Sequence, residues 1–187
     1  MHNINFLRNT KNKEKKVNMI FIGIVTDLES QNNISELLKK NNILNENNVI
    51  FINEKNIDNI KNVHFDTVII NREFKKIDEL NHVLLNVKNI VINMDLNIDW
   101  EELNIREVNV ITYGFNSKSS ITISSVTDDD VLICIQRNIN SKYGKIELQE
   151  IKLENKNGYN IYDLIMIVII YILHFPSNDK IHINSIK

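Results

Sequence analysis

Cysteine, proline and glycine are almost missing from these 187 residues: one Cys, one Pro and four Gly. The lone Cys134 excludes a disulfide framework and a thiolate zinc site built from this chain. Its place in the apolar run Val131 to Ile135 predicts a small buried hydrophobe. No G-x-G-x-x-G fingerprint and no G-x-S-x-G nucleophile elbow occurs. The histidines, His2, His64, His82, His174 and His182, never pair at i,i+4 or stand at metal spacing from Cys or Glu. His174, at an apolar helix end, reads as a packed or capping residue. Sequence spacing does not exclude a triad assembled across the fold, because its members need not be neighbours in the chain.

Charge of one sign is lacking too. A net charge of -2 marks neither a generally basic nucleic-acid binder nor an acidic tail. The longest apolar run, Leu164 to Phe175, has about 12 residues where a membrane span needs about 20. The start, MHNINFLRNTKNKEKK, carries cations but no apolar stretch before Val17, so it is not a signal peptide. It reads as a basic, frayed arm over 1–18, followed by a single α/β domain over 19–187. These absences predict a cytoplasmic protein with no membrane and no nucleic-acid partner, no metal and no cofactor.

What is present is 43% hydrophobic residues and a heavy use of Asn and Ile, which we treat as compositional. This length buries a real core in one domain. The stretch Met19 to Lys40 organises the rest. Met19 to Val25 is a strand apolar on both faces. A turn with the candidate caps Asp27 and Ser30 follows, then a helix with Ile34, Leu37 and Leu38 at helical spacing and Lys39 and Lys40 in its last turn. Strands follow at Val49 to Ile52, Thr67 to Ile70, Asn89 to Met94 and Val108 to Tyr113. Helical patterns lie between them at Asn56 to Asn62 and Phe74 to Val87, with a turn holding Trp100 and Leu103. Alternating strands and helices imply a mostly parallel, Rossmann-like or P-loop-like sheet flanked by helices.

After Gly114 the pattern becomes Ser119 to Val126, Val131 to Gln136 and Lys145 to Leu153, strands joined by short polar turns, predicting a small antiparallel meander. The run Asp128 to Asp130 reads as a solvated hairpin turn rather than a cation site. An apolar C-terminal helix, Asn160 to Leu173, is stopped by Pro176, and Lys180 to Ile186 is a candidate last edge strand.

Several landmarks arrive in one order over Met19 to Phe175: Gly23, Ile24 and Val25 ending the first strand; Ile69, Ile70 and Asn71; Asn93, Met94 and Asp95; Val110 to Phe115, reading Val-Ile-Thr-Tyr-Gly-Phe; and Gly158 to Asp163 opening the last helix. In this order and spacing the chain resembles the central, ATP-binding domain of the Mur ligase superfamily, whose other domains have no room here. That resemblance implies a phosphate loop GxxGxxGK[ST]T at the first turn and a magnesium-binding glutamate with an Asp-His-Leu-Asp type sequence in the middle. Both are lost. In register with the family, Thr26 and Glu29 replace two glycines, Ser30 the lysine and Gln31 the magnesium hydroxyl, while Arg72 to Lys76 follow Asn71 without a histidine. A carboxylate from Glu29 facing a triphosphate at about 4 Å opposes binding by about 4 kcal/mol in a surface-like dielectric. Glu73 reads as an exposed charge at a helix start. Asp163, in place of the family's second Asn, removes a donor from an adenine contact, and Asn160 doubles as a helix cap.

The expectation is therefore a degenerate, stand-alone Mur-ligase-like domain without catalytic residues, serving as an interaction or regulatory module connected by analogy with cell-wall metabolism. Its vestigial crevice would comprise Thr26, Asn71, Asp95 and Asn160. Two alternatives stand beside it: a relic enzyme binding a nucleotide or a UDP-aminosugar, and a structural homo-oligomer. A protein partner or a second copy would use an exposed sheet edge.

Overall fold

The apolar runs of the first half become parallel strands in the computed structural model, which describes residues 20–43 and 48–175. The basic arm, the Pro176 stop and the Lys180 to Ile186 strand lie outside the described residues. In chain order the elements are β1 (Ile22–Val25), α1 (Leu28–Lys40), β2 (Val49–Ile52), α2 (Ile57–Ile60), β3 (Thr67–Ile70), α3 (Ile77–Leu84), β4 (Asn89–Asn93) and β5 (Asn109–Tyr113). A 3-10 turn at Trp100–Glu102 precedes β5. Then come β6 (Ile121–Val126), β7 (Asp130–Ile135), β8 (Ile139–Ser141), β9 (Gly144–Ile146), β10 (Gln149–Glu154) and α4 (Ile161–His174).

The main sheet has eight strands in the order β2-β1-β3-β4-β5-β6-β7-β10. From β2 to β5 every pairing is parallel. β6 continues the parallel set through one pairing, Tyr113 with Ile121, and β7 and β10 then add antiparallel strands. The expected meander is thus an extension of the main sheet, and only the β8–β9 hairpin stands apart. Because β1 lies between β2 and β3, successive crossovers leave β1 in opposite directions. The carboxyl ends of β1 and β3 consequently form a topological switch point, where such folds open a crevice.

Each face of the sheet has its own core. Ile22, Ile24, Ile69, Val91 and Ile111 point to α1 and α4, while Val25, Val68, Ile70, Ile90 and Ile92 point to α2 and α3, as the two-residue pleat demands. In α4 every residue but Ile161, Tyr162 and Tyr171 is buried. A helix apolar on nearly all sides needs cover on nearly all sides, and the sheet, α1 and the β8–β9 hairpin, through Ile139 and Ile146, supply it.

Three local expectations need correction. α3 is shorter than its apolar pattern, since Phe74 and Val87 are buried from the flanking loops. The Lys145 to Leu153 strand is broken between β9 and β10, and β8 was not expected at all. Cys134 is half-buried, because on β7 it alternates with the buried Val131, Ile133 and Ile135.

Candidate functional site

Asp27 caps α1. Its backbone is extended, with φ -86 and ψ 174, and its carboxylate accepts the Ser30 N–H at 2.8 Å. That bond satisfies one of the orphan donors at the helix start. Arg72, leaving β3, spans the same place: its Nε donates to Asp27 Oδ2 at 2.5 Å, one terminal nitrogen to the Asn71 carbonyl at 2.9 Å and the other to Ser30 Oγ at 2.7 Å. Burial raises the Asp27 carboxyl, but the Ser30 N–H and the Arg72 guanidinium outweigh it and hold the group below its ordinary range. The helix N-terminus therefore already has an anion, and that anion has its counter-cation. Glu29, expected to face a ligand, is exposed in the first turn of α1 and takes no part.

Beside this clasp lies a cavity of about 350 Å³ with Val25, Ile52 and Phe74 among its apolar walls and Thr26, Gln31 and Lys55 among its polar ones. Thr26 is buried, and its Oγ1 has no hydrogen-bond partner among the described residues.

Under the clasp runs a buried polar network. Asn71 is fully buried; its Nδ2 donates to Asp163 Oδ1 at 3.3 Å, and its Oδ1 accepts from the Tyr113 hydroxyl at 2.6 Å. Asp163 Oδ2 accepts from Asn33 Nδ2 at 3.4 Å, and the Ser30 hydroxyl also bonds this carboxyl. Burial pushes the Asp163 carboxyl above its ordinary range, against the opposing help of Ser30, Asn33, Arg72 and Asn71. Burial, and then the neighbouring Asp163, push the Tyr113 phenol up as well. Arg72, Ser30, Asp163, Asn71 and Tyr113 thus form one chain of partners from the clasp into the core.

A third group closes the carboxyl end of β4 and β5. Asp95 is exposed, and its Oδ2 accepts the Phe115 N–H at 2.6 Å and the Tyr162 hydroxyl at 3.1 Å. Tyr162 meets Phe115 edge to face at 5.7 Å between centroids and Tyr113 at 6.5 Å. Asn160 caps α4 by accepting the Tyr162 N–H at 2.9 Å. Of the four expected crevice residues, Thr26 and Asn71 adjoin the switch point, Asp95 is reached through Tyr162, and Asn160 acts as a cap. Arg72, Tyr113 and Tyr162 carry the site and were not singled out from sequence. A lone carboxylate inside an apolar helix, Asp163, was the signal that a buried polar partner set existed.

At the opposite end of the sheet, Thr67 Oγ1 lies 3.0 Å from His174 Nε2, and His174 Nδ1 lies 3.9 Å from Asp66 Oδ2. Thr67 is fully buried, so this hydroxyl, imidazole and carboxylate set has no route to a substrate. Glu73 is exposed in the β3–α3 loop ahead of the helix rather than at its start. In the Asp128 to Asp130 turn, Asp130 pairs with Lys152 at 2.9 Å. Among the described residues no three His, Cys, Asp or Glu side chains are placed to hold a metal ion, and no helix is long and apolar enough to cross a membrane. No protein-family model and no curated protein matches this chain. The Mur ligase resemblance therefore rests on its sequence landmarks.

Proposed function

We propose that this chain is a non-catalytic domain of Mur-ligase-central-domain type that has lost ATP binding and works as an interaction or regulatory module, with cell-wall metabolism as the setting suggested by analogy. One observation carries the reading. The start of α1, where such a fold would receive a phosphate, holds the Asp27 carboxylate, the Arg72 guanidinium and the Ser30 hydroxyl bonded to one another. A phosphate entering there would have to displace a carboxylate already satisfied by a backbone N–H and a cation. The raised carboxyl of Asp163 just beneath adds no attraction for an anion.

Thermal shift and isothermal titration with ATP, ADP and UDP-N-acetylglucosamine in the presence of magnesium test this. The expected result is no stabilisation by any of them. Reproducible stabilisation by a nucleotide, lost in the exposed-site variant Asp95→Asn, would overturn it.

The cavity beside the clasp supports a second reading, a relic crevice for a small ligand. Its volume of about 350 Å³ lies at the small end of ligand pockets, which span about 300–1,000 Å³. Stabilisation by the UDP-sugar but not by ATP or ADP would favour it.

A further inference from the structure

The amino end of the sheet has a charge character that the whole-chain balance conceals. From Arg137 to Ile146 the sequence holds three cations, Arg137, Lys142 and Lys145, and no carboxylate. All three are exposed, and none has an ion-pair partner among the described residues. Lys142 and Lys145 stand on the β8–β9 hairpin and Arg137 just ahead of it, and the hairpin's two-residue turn is a fixed object. Ser141 Oγ donates to the Gly144 carbonyl at 2.8 Å and accepts the Tyr143 N–H at 3.2 Å, and Gly144 takes a φ of +134. Ile139 and Ile146 fasten the hairpin to α4, and the Asn140 carbonyl accepts from Asn109 at the start of β5.

Tyr143 sits at the apex, 48% exposed, with the Lys142 ammonium 5.6 Å from its ring centroid. Lys88, with its side chain 78% exposed, belongs to the same end; it pairs with Asp66, and both Lys88 and Lys142 lie close enough to act on the buried His174.

We propose that this hairpin end is a docking surface for the anionic face of a lipid bilayer. A convex turn that holds one half-exposed tyrosine among lysines matches a headgroup-level anchor, where tyrosine places its ring in the interface and its hydroxyl in water. Clustered cations on one side add attraction to anionic headgroups. A single-stranded nucleic acid instead calls for a basic groove with successive stacking aromatics, and Tyr143 stands alone at the apex. The expectation of no membrane partner rested on the shortness of the longest apolar run, which bears on spanning a bilayer and not on lying against its surface. This inference is independent of the nucleotide question, because it uses the opposite end of the sheet from the clasp.

Co-sedimentation of the full chain with phosphatidylglycerol–phosphatidylcholine vesicles, with pure phosphatidylcholine vesicles alongside, tests it. Binding is expected to the anionic vesicles only. It should be lost as salt rises from about 0.1 M to about 1 M, which shortens the screening length from about 10 Å to about 3 Å. The double variant Lys142→Glu, Lys145→Glu should lower partition by at least about tenfold, and Tyr143→Ala should lower it without changing its salt dependence. Both changes fall on exposed positions, and unchanged thermal melting confirms that the variants fold. Absent binding, equal binding to neutral vesicles, binding indifferent to both variants, or displacement of vesicles by an oligonucleotide would each overturn the proposal.

Discussion

Gly114 follows β5 with a φ of +139, and a Cβ there would stand 2.4 Å from Asp95 Oδ2. Gly144 has nearly the same backbone, φ +134, with open space around it. The pair separates conformational strain from collision. Gly144→Ala is expected to cost about 1 kcal/mol, whereas Gly114→Ala must also push away the carboxylate that accepts the Phe115 N–H and should cost at least about 2 kcal/mol. Urea midpoints of the two variants check the ordering. Asp163 gives a second prediction at this scale. Its carboxyl is raised by burial, so its contribution to stability is fully present below the unfolded value near 4 and is lost as pH rises through the folded value. Asp163→Asn removes that dependence, so the variant should gain on the parent in thermal melts as pH rises above the unfolded carboxyl value near 4. Asp163→Ala should instead lose about 1–3 kcal/mol, because the Asn71 and Asn33 amides would lose the carboxylate they donate to.

Among the elements, β2 and β3 were legible to the residue, because each is a short apolar run bounded by polar residues, β3 buried throughout and β2 half-buried at the sheet edge except for Ile52. α3 was legible as a helix but not in extent. Phe74 and Val87 continue its apolar spacing, yet they reach the same core from loops, and periodicity cannot separate a helical residue from a buried neighbour. The β8–β9 hairpin was missed, since three-residue strands are too short to show an alternation. α4 was legible as buried, and its start was fixed by a side chain of the expected type. Asn160→Ala should cost about 1 kcal/mol as a lost cap and leave any small-ligand response unchanged. Denaturation curves measure the first outcome and thermal shift the second.

For the whole molecule, what matters is what the two sheet edges and two sheet ends present. β10 shows Glu150, Lys152 and Glu154 between its buried Ile151 and Leu153. The uncharged β2 has its Phe51 carbonyl taken by Asn56 Nδ2 at 2.7 Å. Charge on one edge and a side-chain cap on the other are the means by which proteins discourage edge-to-edge pairing. Light scattering is accordingly expected to give a monomer mass in solution across a concentration series; a mass of two chains that falls to one in Asn56→Asp would point to pairing through β2. The carboxyl end carries the clasp and the amino end the basic hairpin, so the two ends of one sheet present different chemistry.

The sequence by itself determined the class of fold, because the alternation of apolar runs and helical spacing is a local property that only a mostly parallel, helix-covered sheet satisfies. It also establishes that the turn from Thr26 to Gln31 holds no lysine and no glycine, since an absent residue is absent in any fold. What only the tertiary structure decided is what occupies the start of α1. Arg72 lies 45 residues from Asp27, and Asn71 lies 92 from Asp163. Nothing in the local pattern pairs them, and they meet because β1 and β3 are neighbours in the sheet and α4 packs across the same face as α1. The basic hairpin differs: its cations already lie together in sequence between Arg137 and Ile146 without a carboxylate, and what the fold adds is the tight turn that presents them with Tyr143 on one surface.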